Sequence, residues 1–275
     1  MNRVGLTDTP AEAQRVLSEV YRRMSPSRKL KLQVVGYSSE RALHEAGVRS
    51  REPRATPVEI RRSWNLLRLG QAPWISEIEM PMDDSLDNLG VVREVSAAFT
   101  RLAIPYALGG SWASSFHGEP RSTFDAAISV EPFPGLESAL VSSFGPDYYI
   151  SLDAVTEAVR ELRLFNIINA IAGFKVDVFV RKETPFARSV MSRRAQVSTE
   201  GDSGIDLVMI SAEDTILLKL EWYRLGGEIS ERQWLDVLGV MRVQGDRLDQ
   251  LYLDRWAGEL GVLDLLNDAR RDSEI

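Results

Sequence analysis

Apolar side chains between residues 9 and 69 recur at helical spacing. Val16, Val20 and Tyr21, with Leu17 beside them, mark a first helix opened by Thr9-Pro10-Ala11-Glu12: an N-cap, a proline at the first position and an acid in the first turn. Ser25 opens a second helix and Ser39 a third through Leu43 and Ala46. Thr56-Pro57-Val58-Glu59 repeats the capped start ahead of Ile60, Trp64 and Leu67. Gly70-Gln71-Ala72-Pro73 and Asp83-Asp84-Ser85-Leu86-Asp87 then read as a linker. Beyond residue 90 the period changes repeatedly. Residues 91–102 form an amphipathic helix, 106–108 a short strand, 124–130 a strand, and 136–144 and 154–162 helices. Residues 164–170 and 174–180 alternate as two strands of a hairpin around Ala172-Gly173, and 205–210 is a further strand. Helices follow over 213–225, 231–243 and from Arg247 toward Asp272. The expected fold class is α+β, a small mixed sheet with flanking helices. The expected organisation is a helical basic module (1–75), a linker (76–90), an α+β core (91–210) and a C-terminal helical region (211–275).

Side chains alternate faces along a strand. In the strand at 124–130, Phe124, Ala126, Ile128 and Val130 share an apolar face, leaving Asp125, Ala127, Ser129 and Glu131 opposite. In the strand at 174–180, Phe174, Val176, Val178 and Val180 are apolar, leaving Lys175, Asp177, Phe179 and Arg181 opposite. Parity alone therefore turns Asp125 and Asp177 away from the core. Two neighbouring strands carrying carboxylates on one side can hold a divalent cation between them; two ordinary solvent-facing aspartates satisfy the same pattern.

The turn ahead of these strands adds a second signal. Gly109 and Gly110 let backbone approach a ligand closely, and Ser111 is placed to N-cap the helix that follows. Amides at a helix start favour phosphate. Gly-Gly-Ser after a strand, with thirteen residues between Ser111 and Asp125, is more specific than the turn alone. No lysine follows in the Walker pattern, and Ser114 and Ser115 lack a Gly-x-Ser-x-Gly context, so P-loop and α/β-hydrolase chemistries fall away.

Composition narrows the chemistry. The 275 residues include no cysteine and two histidines, His44 and His117. Disulfides, thiolate zinc sites and multi-histidine centres are thereby excluded, and any metal must be a hard cation held by oxygen, Mg²⁺ or Mn²⁺. The first residues lack the apolar segment of a secretory leader and no run is long enough to span a membrane, so the expectation is a cytoplasmic protein with no membrane partner. Residues 1–70 carry 14 Lys/Arg against 7 Asp/Glu, whereas 71–275 carry 19 against 33. Such asymmetry fits contact with a polyanion such as RNA, docking of the basic segment on the acidic part, or simply a solvated basic face. His117 is a candidate for contact with a ligand or for a structural hydrogen bond. Trp222, Tyr223, Trp234 and Trp256 are expected to pack between helices.

Taken together, the Gly-Gly-Ser turn, the strand bearing Asp125 and the later strand bearing Asp177 resemble the nucleotidyltransferase superfamily, in particular AbiEii toxin-like proteins, over residues 91–245. The resemblance implies that Gly109, Gly110 and Ser111 hold a nucleoside triphosphate. It implies that Asp125 and Asp177 bind Mg²⁺ or Mn²⁺ and are catalytic, and that Arg121 and Lys219 offset phosphate charge. Ser211-Ala212-Glu213-Asp214 is similar to the start of the family's lysine-bearing helix and reads as a capping box. Arg232 and Asp236 match a basic-then-acidic pattern on the next helix. The implied reaction is nucleotidyl transfer from an NTP to an acceptor hydroxyl of RNA, tRNA or a small molecule, with a cognate antitoxin as a further partner. The family expects an aspartate where Ala127 stands. Glu131, four residues on and about 13 Å along the strand, is too far to replace it. The resemblance therefore implies a disabled or impaired enzyme, or alternatively a non-catalytic nucleotide-binding or toxin–antitoxin-type interaction protein.

Overall fold

The computed structural model of the chain describes residues 10–70, 87–197 and 207–273. Three helices lead: α1 (Ala11–Arg23), α2 (Pro26–Arg51) and α3 (Pro57–Leu69). The mixed part runs α4 (Asn88–Arg101), β1 (Tyr106–Gly109), α5 (Gly110–His117), β2 (Asp125–Val130), α6 (Glu137–Val141), β3 (Tyr148–Tyr149), α7 (Leu152–Glu161), β4 (Leu164–Asn169), β5 (Phe174–Val180), α8 (Pro185–Arg193), β6 (Ala195–Val197) and β7 (Leu207–Met209). Helices α9 (Ala212–Leu225), α10 (Glu231–Gln244), α11 (Gln250–Glu259) and α12 (Leu263–Ser273) complete it. The α+β class is as expected.

One mixed sheet has the strand order β3-β4-β5-β2-β1-β7-β6. Central β2 runs parallel to β5 and antiparallel to β1, with Ala127 opposite both Asp177 and Gly109. The period-two reading holds: Ala126, Ile128 and Val130 of β2 are buried, as are Phe174, Val176, Val178 and Val180 of β5, while the intervening residues are not. Phe124 lies just ahead of β2.

The leading helices pack on the sheet domain through two kinds of contact. Tyr37 and Trp64 join Phe124 and Phe174 in an aromatic cluster, with Tyr37 5.7 Å from Phe174 and 5.9 Å from Trp64. The Tyr37 hydroxyl donates to the Ala172 carbonyl, and Asn65 Nδ2 donates to Ala170 O at 2.6 Å. These helices thus close over the β4–β5 hairpin, where Gly173 (φ +64°) leaves no room for a side chain: a Cβ there would lie 2.7 Å from Trp64 Cδ1. Helix α1 docks with its polar side, Gln14 and Ser18 both hydrogen-bonding Glu119.

Several expectations change. Pro10 is the N-cap of α1, not its first residue, and no side chain caps that helix; Thr9 lies outside the described residues. Val16, Leu17 and Val20 are exposed because the surface that α1 meets is polar. No boundary falls at Ser39: α2 continues through it, and Leu43 and Ala46 face solvent. Helix α4 begins at Asn88, inside the proposed linker, whose residues 76–86 are outside the described part. The last expected helix is two, α11 and α12, separated around Gly261. Helix α8 and strands β3 and β6 carried too little periodicity to be recognised. Among the described residues no helix is long and apolar enough to cross a membrane.

Candidate functional site

A cleft of about 460 Å³ opens beside the start of β2. That volume falls in the range of small-molecule sites. Its walls come from four directions: Ser111 on α5, Arg121 to Asp125 on the approach to β2, Lys219 and Gln233 on α9 and α10, and Glu40 and Arg68 from α2 and α3.

Gly110 sets the geometry of the turn. Its φ of +57° is left-handed, and a Cβ there would lie 2.8 Å from Ala127 Cβ. Only glycine combines that backbone with such close approach to β2. Ser111 does not cap α5 as expected; Gly109 is the N-cap and makes no side-chain bond. Ser111 Oγ instead accepts from Arg121 Nη2 at 2.7 Å. The leading amides of α5 remain without intrahelical acceptors, as at any helix start.

Arg121 and Lys219 converge on one carboxylate. Arg121 grips Asp236 with Nε to Oδ1 at 2.7 Å and Nη2 to Oδ2 at 2.8 Å, while Lys219 Nζ donates to Oδ2 at 2.7 Å and to Gln233 Oε1 at 3.1 Å. Lys219 and Asp236 are buried. Burial favours the neutral carboxyl of Asp236, but the Arg121 hydrogen bonds and the Lys219 charge outweigh it and hold its pKa below the usual value. Burial lowers the Lys219 pKa against the pull of Asp236. Two cations on one anion leave one positive charge fixed at the cleft wall. The sequence pattern placed Asp236 on its helix without revealing this role, which depends on the contact between α5, α9 and α10.

Asp125 is exposed, its Oδ1 accepting from Thr123 Oγ1 at 3.1 Å. Asp177 is less accessible and heavily engaged. Oδ1 accepts from Asn166 Nδ2 at 2.5 Å and lies 2.7 Å from Lys175 Nζ, and Oδ2 accepts from Lys175 at 2.9 Å. Burial raises its pKa, Lys175 opposes that, and the charge of Asp125 adds to it. The two aspartates therefore share a face, as parity predicts, close enough for the charge of Asp125 to act on Asp177.

A Mg²⁺ or Mn²⁺ ion needs about six oxygen ligands with little competition for them. Here Ala127 gives a methyl group, and both Asp177 oxygens already face an ammonium. Among the described residues no three acidic or histidine side chains come together as a metal cluster. These residues do not fit the cation centre that the resemblance implies; they fit an ion pair.

Other candidates resolve structurally. His117 Nε2 bonds Ile210 O at 2.8 Å, and burial pulls its pKa down to about 4, so it is a neutral structural group. Ser211 caps α9 by accepting from Asp214 N, and its hydroxyl donates to Asp214 Oδ2 at 2.8 Å. Tyr223, Trp234 and Trp256 are buried as expected, whereas Trp222 is 51% exposed and leans on Phe179 at 6.0 Å.

The chain matches no family model and no curated protein. Among solved structures it is similar to the solution structure of the antibiotic-resistance factor ANT(2'')-Ia, at 14% identity and a TM-score of 0.35, over 66% of this chain and 92% of that one. That likeness is too slight to bear on function.

Proposed function

We propose that the cleft is a nucleoside-triphosphate site on a nucleotidyltransferase-type scaffold whose transfer chemistry is disabled at Ala127. The observation that carries this reading is the network Ser111–Arg121–Asp236–Lys219 beside the left-handed Gly110. It holds surplus positive charge rigidly beside the start of α5, whose leading amides have no intrahelical acceptors, an arrangement suited to phosphate oxygens. Arg68, over the face of Phe124 at 3.0 Å from the ring centroid, brings a further cation from α3. In an active relative of this design an acceptor hydroxyl attacks the α-phosphorus and pyrophosphate leaves. Asp125, exposed on that face and lining the cleft, is the carboxylate placed to assist it.

The test pairs the protein with its Ala127→Asp variant, each incubated with α-labelled NTPs, Mg²⁺ and either total RNA or an aminoglycoside. The expected outcome is nucleotide binding by both proteins and label transfer only by the variant. Full activity of the unaltered chain contradicts the assignment of position 127, and failure of both proteins to bind any NTP removes the reading.

A further inference from the structure

Four positions on the polar face of β2 and β5 form a rectangle. Register sets Lys175 beside Asp125 and Asp177 beside Ala127. Neighbouring corners lie about 4.8 Å apart across the strands and about 6.6 Å apart along them. Three corners are charged and the fourth is a methyl group.

Lys175 spans from its own corner to both oxygens of Asp177, and Asn166 on β4 fills the remaining approach to that carboxylate. Three carboxylates at 125, 127 and 177 would carry three negative charges, which one divalent cation reduces to one. Asp125, Asp177 and Lys175 with Ala127 already sum to one negative charge. The ammonium and the alanine together produce the same local balance that a bound metal gives to the three-carboxylate pattern. Around the cleft, the fixed positive charge of the Arg121–Asp236–Lys219 network, Arg68 and the exposed Arg232 are available to phosphate, with Asp125 and Glu40 opposing them.

We propose that this cleft binds the polyphosphate of a nucleotide without a divalent cation, with Lys175 acting as the built-in cation beside Asp177. The inference rests on the nucleotide reading above and gives it a metal-independent form. Lys175 and Asp177 stand just behind the cleft lining, Lys175 opposite Asp125 in the strand register; by neutralising Asp177, Lys175 removes a charge that would repel phosphate held against the positive wall of Arg121 and Lys219.

The experiment is isothermal titration of the full chain with ATP and, separately, with inorganic tripolyphosphate, each in excess EDTA and in excess Mg²⁺. Affinity in EDTA is expected to equal or exceed that in Mg²⁺, because Mg²⁺ masks phosphate charge that the protein itself contacts. Lys175→Met is expected to weaken binding in EDTA by about tenfold or more, the size of a lost charge-assisted interaction. Mg²⁺ should recover part of that loss, since Asp177 is then free to accept a cation. Lys175→Arg keeps the charge and is expected to keep binding in EDTA, which separates electrostatics from misfolding. In a metal-only readout, Mn²⁺ should stay free by electron paramagnetic resonance with the unaltered chain and become bound once Ala127→Asp is introduced, more tightly still when Lys175→Met is added. Binding by the unaltered chain only when Mg²⁺ is present overturns this inference and leaves the nucleotide reading standing. Undiminished binding in EDTA by a folded Lys175→Met variant also overturns it. Absence of ATP and tripolyphosphate binding under both conditions removes the nucleotide reading, and this inference with it.

Discussion

Position 110 ties backbone strain to the candidate site. Gly110→Ala forces a Cβ into a left-handed residue and to within 2.8 Å of Ala127 Cβ. The expected cost is about 1–3 kcal/mol of stability, read by urea denaturation, together with loss of nucleotide affinity; unchanged affinity would separate the turn from the site. His117 offers a pH signature. Its pKa falls from 6.5 to about 4, so between those values the unfolded chain binds a proton that the folded chain refuses. Stability must therefore drop as pH falls through that window, by at most about 3 kcal/mol. His117→Gln keeps a donor for Ile210 O and should flatten the profile between pH 6.5 and 4. At this scale the sequence was informative where chemistry is local. Parity placed Asp125 and Asp177 on one face, and the double glycine marked the turn. The pairing of Lys175 with Asp177 was hidden, because parity gives the face of a side chain and not the partner its flexible end selects.

Among the elements, the loop before β2 and helices α9 and α10 meet at one buried carboxylate. Removing it leaves Arg121 and Lys219 facing each other without a counter-charge. Asp236→Ala is expected to cost about 3–5 kcal/mol, measured by chemical denaturation; a cost under 1 kcal/mol would show that solvent readily takes the place of Asp236. Because the pKa of Asp236 is lowered from 3.8, its contribution is fully present above that value and disappears as pH falls further through the folded-state pKa. Cap chemistry made helix starts legible at Ser25, Thr56 and Ser211; Thr184 caps α8 in the same way, yet that helix carries too little hydrophobic periodicity for the cap to be noticed. Ser39 misled because a serine within a helix can face water, and no proline or glycine follows it to end the preceding turn. The buried side of α1 was illegible for a related reason: Gln14 and Ser18 bond to Glu119, and hydrophobic periodicity carries no record of a polar dock.

Across the whole molecule, the leading helices and the cleft share one structural wall. Tyr37 and Trp64 pack against Phe124, Arg68 lies over the other reach of that ring, and Asp125 follows it in the chain. Charge asymmetry alone left three readings of residues 1–70: a surface for a polyanion, a segment docked on the acidic part of the chain, or a solvated basic face. The packing supplies the docked arrangement, while Arg68 carries positive charge from the same helices into the cleft. Order in α3 and occupancy of the cleft should therefore be coupled. Trp64→Ala removes a buried aromatic anchor without touching the cleft and is expected to cost about 3–5 kcal/mol. If the coupling holds, the variant also binds ATP more weakly, because Arg68 and Phe124 lose the surface that positions them. Reciprocally, ATP at about a hundred times its dissociation constant should stabilise the unaltered chain by about 2.7 kcal/mol and slow amide exchange in α3 as well as at the Gly110 turn. Protection confined to α5 and β2, with α3 exchanging at its unliganded rate, would mean that the leading helices brace the fold and take no part in binding.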